Sequence, residues 1–569
     1  MKKSILITAI ALGSACRISA QEFPVSWESE FESRASVLSV VSDDGKYVLG
    51  TDKDEMTLLD ENGKLVYNGR YKEITGKEGV NKPEMQYVYF DAGLLFLFDK
   101  KMGKDRMAVV DVKTGKNLWN SNEYQNITDD NMEYVAELDA FFFSQKDVTT
   151  LVNARTGEKI WQTDKFKGSI GAHLYLKESN DIIMINFKPN QLSALFSGFQ
   201  NQVVRINAKT GEVKWSQKYF GFVEKEVVTR KPIVTLYVKN DKIYVQLDGL
   251  QVFDFATGKE LWKAVYETDM DTRRGFWNRG PHGGKVLDGG IYGAIAPPLY
   301  TKDAVYVVMG GDRQKVKYVQ KHDIETGKLL WESEKITGAS AMPHLYENNG
   351  KIIAQIGGLI NKQTIERKVV KTQTTEEIIT YRNSEYEFLG GYGILALDPA
   401  SGNKAWRSEK FDKRISDLIF DGTMLYAGGG DEFYGFDVAT GEMKINVDHS
   451  KNKVGKTMWA FDNGESVALV CDKGMAAYSK KDGNKLYNSD KFRNVTAYHV
   501  RNGKMFLRNE TESSNKIAQV DLKTGNILGE EKSKGSGGGD VYGDGLDMTS
   551  DAAFIFSFRN KKVAKLKTQ

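Results

Sequence analysis

The chain of 569 residues contains only two cysteines, Cys16 and Cys471, and only nine prolines. Two thiols exclude a disulfide scaffold and any cysteine-based metal site, since such frameworks need several cysteines at set spacings. The scarcity of proline, with no Pro/Ser-rich linker, argues against well-separated domains and for one compact body. Charge of one sign is also missing. The 79 basic and 76 acidic residues give +3, and residues 1–20 hold Lys2, Lys3 and Arg17 with no acid, so the remainder balances at 76 against 76. A neutral body carries no overall electrostatic footprint for nucleic acid, so no nucleic-acid partner is expected. Beyond the N-terminus no apolar run reaches the roughly 20 residues that a spanning helix needs, so no transmembrane segment is expected.

What is present begins with an export signal. Lys2 and Lys3 precede an apolar run from Ile5 to Ala15, and small residues end at Ala20 before Gln21. This order predicts a signal peptide over 1–20, cleaved after Ala20. The competing processing site is Cys16, because Gly13, Ser14, Ala15 and Cys16 resemble a lipoprotein box without its usual leucine. Cys471 follows the apolar Val467–Val470 and reads as an inert core thiol.

One pattern recurs along the whole chain: Asp-x-x-Thr-Gly-x-x-x-Trp. Near-complete copies end at Trp119, Trp262, Trp331 and Trp406, and copies with Asn in place of Asp end at Trp161 and Trp215. Weaker copies keep the glycine at Gly63, Gly441, Gly483 and Gly525, followed four residues later by Tyr67, Ile445, Tyr487 and Gly529. Each copy joins two β-rich runs, so it predicts a hairpin: glycine takes the positive-φ position, and Asp, Asn and Thr bond turn backbone groups. The aromatic then lies on the outgoing strand, placed to wedge against the next unit. A second hairpin signal upstream, as in Ser42-Asp43-Asp44-Gly45, makes four strands per unit, and most turn glycines are 39 to 54 residues apart. The fold class is therefore all-β, a β-propeller of four-stranded blades occupying residues 21–569.

Trp27-Glu28-Ser29-Glu30 resembles the outgoing strand Trp331-Glu332-Ser333-Glu334 but has no turn before it, whereas residues 547–567 hold strands with no turn after them. The N-terminal strand is expected to complete a blade begun by the C-terminal ones, closing the ring. Ten turns plus this composite make eleven units, against the usual four to eight blades. An unusually large ring, degenerate units and two propellers are all compatible with that number.

The Asp-x-x-Thr-Gly-x-x-x-Trp repeat resembles that of the PQQ-like (quinoprotein-type) propellers. Two branches of that family imply different functions: quinone-dependent dehydrogenases and non-catalytic envelope propellers of the BamB kind. The dehydrogenase branch typically has an adjacent-cysteine disulfide, and sometimes an attached haem. This chain has neither Cys-Cys nor Cys-x-x-Cys-His. No catalytic residue and no cofactor is carried over, although PQQ stays open as a ligand of the alternative, an oxidoreductase.

Three insertions carry the candidate sites, at residues 187–202, 268–296 and 363–388. The second gathers Arg273, Arg274, Phe276, Trp277, Arg279 and His282, guanidinium donors beside aromatic faces, suited to a carboxylate, a sulfate or a partner loop. The first carries Leu192, Leu195, Phe196 and Phe199, placed to dock on a partner or a membrane surface or to pack back on the ring. The third, threonine-rich, reads as a protruding hairpin. The six histidines have no short metal-ligand spacing, and Asp540, Asp544 and Asp547 read as turn residues, not as a calcium loop, so no metal site is expected. The leading expectation is an exported non-catalytic scaffold, periplasmic, outer-membrane associated or secreted, that binds envelope proteins. An acidic-glycan binding or cleaving propeller is the further alternative.

Overall fold

The computed structural model describes residues 21–33, 35, 37–100, 105–127, 131–145, 148–187, 201–219, 235–247, 249–264, 270–271, 285–286, 290–291, 294–310, 316–371, 376–491, 495, 497–511, 514–534, 547–559 and 561–569. The expected leader, residues 1–20, lies outside them. The chain forms eleven antiparallel sheets, each built mainly from strands that follow one another in sequence. Blades 1 to 10 span residues 38–70, 85–121, 132–163, 169–217, 235–264, 299–332, 344–407, 419–448, 457–489 and 497–534. Blade 11 is the expected composite: Phe554–Arg559 pairs Lys562–Lys567, which pairs Val25–Glu30, and the innermost position is held by a single bridge between Met548 and Ile555.

Burial follows the meander. The second and third strands are almost wholly buried, as in Leu94–Asp99 and Gly474–Ser479, while fourth strands such as Leu65–Arg70 are largely exposed and form the outer rim. First strands of consecutive blades meet near the axis, where Tyr89 and Tyr134 rings lie 4.5 Å apart and Trp459 and Tyr498 rings 5.0 Å apart. Apolar clusters lie between neighbouring blades, so each interface is a small core of its own; Phe96, Val109, Trp119, Phe141 and Phe143 form one.

All ten turn glycines have positive φ, between 69° and 75°. The turn carboxyl or amide takes the bonds expected of it: Asp323 Oδ1 accepts from the backbone N–H and the hydroxyl of Thr326, and Asn207 Oδ1 accepts from Thr210 N–H. Just after the turn one extra residue sits in the fourth strand; Val109 pairs Trp119 while Val110 pairs Asn117. Such a bulge sharpens the local twist and re-aims the side chain that follows.

The re-aimed aromatic lies on the turn glycine of the next blade. A Cβ on Gly258 would fall 2.5 Å from Trp215, and one on Gly441 2.5 Å from Trp406. The indole Nε1 then donates to the carbonyl of the residue just after that turn's Asp or Asn: Trp119 to Ala154 at 2.9 Å, Trp161 to Ala208 at 2.9 Å, Trp406 to Val438 at 2.8 Å. Tyr67 and Tyr487 make the same contact through their hydroxyls, to Val112 and Leu522.

The same coupling settles the ring. Trp27 of blade 11 covers Gly63 of blade 1 and donates to Glu61 O at 2.7 Å. Where blade 10 has Gly529 in place of an aromatic, Phe23 lies on it, 2.5 Å from where a Cβ would be. Clusters at Phe506, Ile517 and Ile555, and at Val48, Leu59 and Phe556, bind blade 11 to blades 10 and 1. The chain is thus one closed propeller of eleven blades, not two.

Candidate partner-binding face

A four-stranded meander puts its 1–2 and 3–4 connections at one end of the blade and its 2–3 and blade-to-blade connections at the other. Hydrogen bonds confirm the first grouping: Val112 N–H donates to Gly93 O, Ala154 N–H to Asp139 O, and Leu522 N–H to Gly503 O, each joining a 3–4 turn to the 1–2 turn of its own blade. The second grouping is tied likewise, with Thr457 N–H donating to Gly430 O and Lys473 N–H to Val454 O. One face of the ring therefore carries the repeated Asp-x-x-Thr-Gly turns. All three insertions leave from the opposite face: residues 187–202 and 363–388 are 2–3 connections, and 268–296 joins blade 5 to blade 6.

Two of these insertions combine. The second and third strands of blade 7 run on far beyond the blade, as Lys351–Lys371 and Glu376–Leu397, paired along almost their whole length from Ile352–Leu397 to Lys371–Glu376. Segments of the other insertion add to the free edge of this hairpin: Lys285 pairs Arg367, Val286 pairs Glu366, and Ile291 pairs Gln363. Met270–Asp271 pairs Gly290–Ile291 and extends the sheet to seven strands. The hairpin was expected to protrude. It does outrun its blade, and two of its residues are covered, for Ile360 packs with Ala294 and Ala341, and Glu366 is fully buried. Register pairs between residues about 80 apart account for the cover, because strand pairing satisfies the hairpin edge that would otherwise stand open.

Arg273, Arg274, Phe276, Trp277, Arg279 and His282 lie outside the described residues, as do Leu192, Leu195, Phe196 and Phe199. Short strands on either side of the Arg/Trp group join the hairpin sheet. The six expected blade tryptophans, Trp119, Trp161, Trp215, Trp262, Trp331 and Trp406, all take the inter-blade wedge position. Among the described residues Trp262 differs in having its Nε1 buried without a hydrogen-bond partner.

The remaining chemistry is dispersed. His173 meets Glu133 at 3.1 Å and His344 meets Asp417 at 3.4 Å, whereas His449 is buried, and burial holds its imidazole below the ordinary value. Burial likewise pushes the Cys471 thiol up to about 12. Asp547, where blade 11 begins, is pushed up to about 6 by burial, against the opposing charge of Arg508. No group of three or more His, Cys, Asp or Glu side chains is placed to hold a metal among the described residues.

At the foot of the hairpin are two concavities that sequence reasoning missed. One, of about 620 Å³, is lined by Arg414, Lys453, Lys456 and Lys473 together with Asp431 and Asp472. The other, of about 490 Å³, includes Gly390–Gly393, Arg407 and Lys410 and no carboxylate. Their residues come from separate connections, and the weak signal for them was the Lys-rich 448–456 stretch between blades 8 and 9.

Comparison with known proteins gives a family. The model described as outer membrane protein assembly factor BamB, a PQQ-like repeat model, matches residues 24–174, 144–289 and 392–554, more than half of the chain. Among solved structures, BamB from Moraxella catarrhalis is similar at 12% identity over 67% of this chain and 92% of that one, with a TM-score of 0.27. The computationally designed Ika8 protein is similar at 12% identity over 70% and 95%, TM-score 0.30, and a eukaryotic initiation factor at 11% over 77% and 96%, TM-score 0.34. TM-scores this low carry no weight for fold or function. The search of curated proteins found no match.

Proposed function

We propose, from the premise that this chain belongs to the PQQ-like repeat family described as outer membrane protein assembly factor BamB, that it is an exported, non-catalytic propeller holding protein partners at the cell envelope. The observation that carries this reading is the asymmetry of the two faces. One has short turns locked by repeated hydrogen bonds; the other has every long insertion, two of them merged in one sheet with the hairpin of blade 7. A rigid ring that spends its irregular chain on one face suits recognition, since interaction residues concentrate on loops held by a scaffold. Export enters through the leader at residues 1–20, and no helix among the described residues is long and apolar enough to cross a membrane.

The test is a shortened hairpin in the exported chain. Joining Asn361 to Tyr386, a register pair, through Asn-Gly keeps the strand alignment and removes the outer hairpin. In-cell crosslinking followed by mass spectrometry is expected to capture an envelope protein with the intact chain and to lose it with the shortened one, while the amide-exchange pattern of the ring is unchanged. Equal capture by both chains, or no capture by either, sinks the proposal.

A further inference from the structure

We infer that the 620 Å³ cleft between blades 8 and 9 takes an acidic segment of the protein that docks on the insertion face, an inference that rests on the scaffold reading above and names the chemistry of its partner. The cleft is a built depression. Lys473 N–H donates to Val454 O and Asp472 N–H to Lys456 O, locking the 2–3 turn of blade 9 to the connection that enters it. Gly455, at φ 81°, admits no side chain, because a Cβ there would lie 1.9 Å from Asp472 Oδ1.

Charge accounting inside the cleft leaves a surplus of cations. Asp472 spends one oxygen on the backbone N–H of Lys456 at 3.0 Å and the other on Arg414 at 3.5 Å. Asp431 spends Oδ2 on Lys413 at 2.9 Å. Arg414 also stacks 4.0 Å over the ring of Phe388, in the hairpin, which fixes the cleft beside that hairpin. Lys453, Lys456 and Lys473 meet no carboxylate at ion-pair distance among the described residues. The adjoining concavity adds Arg407 and Lys410 with no acid. Because the chain from residue 21 onward balances 76 cations with 76 acids, this concentration is local and calls for an anion from outside.

A peptide fits better than a compact dianion. The cations come from three separate stretches, Arg414 ahead of blade 8, Lys453 and Lys456 between blades 8 and 9, and Lys473 in the 2–3 turn of blade 9, and Asp431 and Asp472 among them would repel a phosphate seated centrally. An extended segment can set separate carboxylates against separate lysines while its backbone N–H groups face Asp431. Docking next to Phe388 lets the same partner touch the hairpin, so charge would set the approach and register of a contact made across the merged sheet.

The test uses the full chain and a fluorescein-labelled octapeptide alternating Glu and Ser, with its Gln/Ser counterpart as control. Saturable anisotropy with the Glu peptide and none with the Gln peptide is expected. The triple variant Lys453→Gln, Lys456→Gln, Lys473→Gln should weaken binding about tenfold and flatten its salt dependence. Absence of saturation up to millimolar peptide, or equal affinity in the triple variant, overturns the inference. If inorganic phosphate or phosphatidylglycerol vesicles compete as well as the peptide, the site is a general anion site and the peptide assignment falls. Lys453 and Lys473 are exposed and Lys456 is half-buried, and an amide-exchange pattern of the ring equal to that of the parent chain shows that the triple variant is folded. If it still captures the envelope partner in cells with unchanged yield, the cleft is irrelevant to docking and the scaffold reading stands without it.

Discussion

Replacing Gly441 by alanine probes the coupling that joins the blades. Two costs add. The backbone there is held at φ 74°, where a Cβ costs roughly 1 kcal/mol. The new Cβ would also stand 2.5 Å from Cδ2 of Trp406, a ring that is only 8% exposed and hydrogen-bonded to Val438 O at 2.8 Å. Displacing that indole forfeits part of the roughly 3–5 kcal/mol that a buried tryptophan contributes, so a total of about 3 kcal/mol is expected. Gly422 is the control, for it has φ 58° with nothing within 4 Å of its Cβ position, and only the strain of about 1 kcal/mol applies. Amide exchange reads the difference locally. At about 1.4 kcal/mol per tenfold, Gly441→Ala should speed exchange in the 436–446 hairpin on the order of 100-fold, and Gly422→Ala in its own hairpin about fivefold. In a Trp406→Ala background the Gly441 effect should shrink to that of Gly422. Equal effects of the two glycines, or a Gly441 effect undiminished without Trp406, would refute the wedge.

Three further expectations follow from the same geometry. The turn carboxyls of Asp254, Asp323, Asp398 and Asp437 are held below the usual 3.8 by hydrogen bonds from Thr257, Thr326, Ser401 and Thr440, so their contribution is complete above 3.8 and is lost as pH falls through the lower folded values. Changing all four to Asn, the residue already used at Asn153 and Asn207, should keep the fold and flatten the acid limb of a urea-midpoint profile; an unchanged limb refutes the assignment. Cys471, 2% exposed with its thiol pushed up to about 12, should resist a thiol reagent at pH 8 in the chain from Gln21 onward and react fully in denaturant. Phe23→Ala should cost about 3–5 kcal/mol locally and make blade 11 exchange before the other blades, because Phe23 covers Gly529; uniform loss of protection around the ring would contradict that role.

The repeat made most of the fold readable. The Asp-x-x-Thr-Gly turns located ten hairpins because positive φ and a short acceptor side chain are local requirements that leave a local signature. The composite blade was legible because Trp27 lacks a turn before it. Phe23 on Gly529 was not, since nothing near Phe23 marks a contact with a residue some 500 positions away. The insertions could be found as excess length between turns, but not their pairing, because Lys285 meets Arg367 only after ring geometry has placed blades 5, 6 and 7 side by side. The basic cleft was invisible for the same reason: Arg414, Lys456 and Lys473 lie in separate connections, each an ordinary polar loop on its own.

The most direct measurement is a face-by-face comparison by photo-crosslinking in cells. A photoreactive residue is placed singly at Lys362, Phe388 and Lys473 on the insertion face, and at Lys209, Lys259 and Lys328 beside the repeated turns. The account predicts that one envelope protein is captured from the first set and not from the second. Capture from the turn positions instead, or from both sets alike, would contradict the claim that the insertion face is the working surface of the ring.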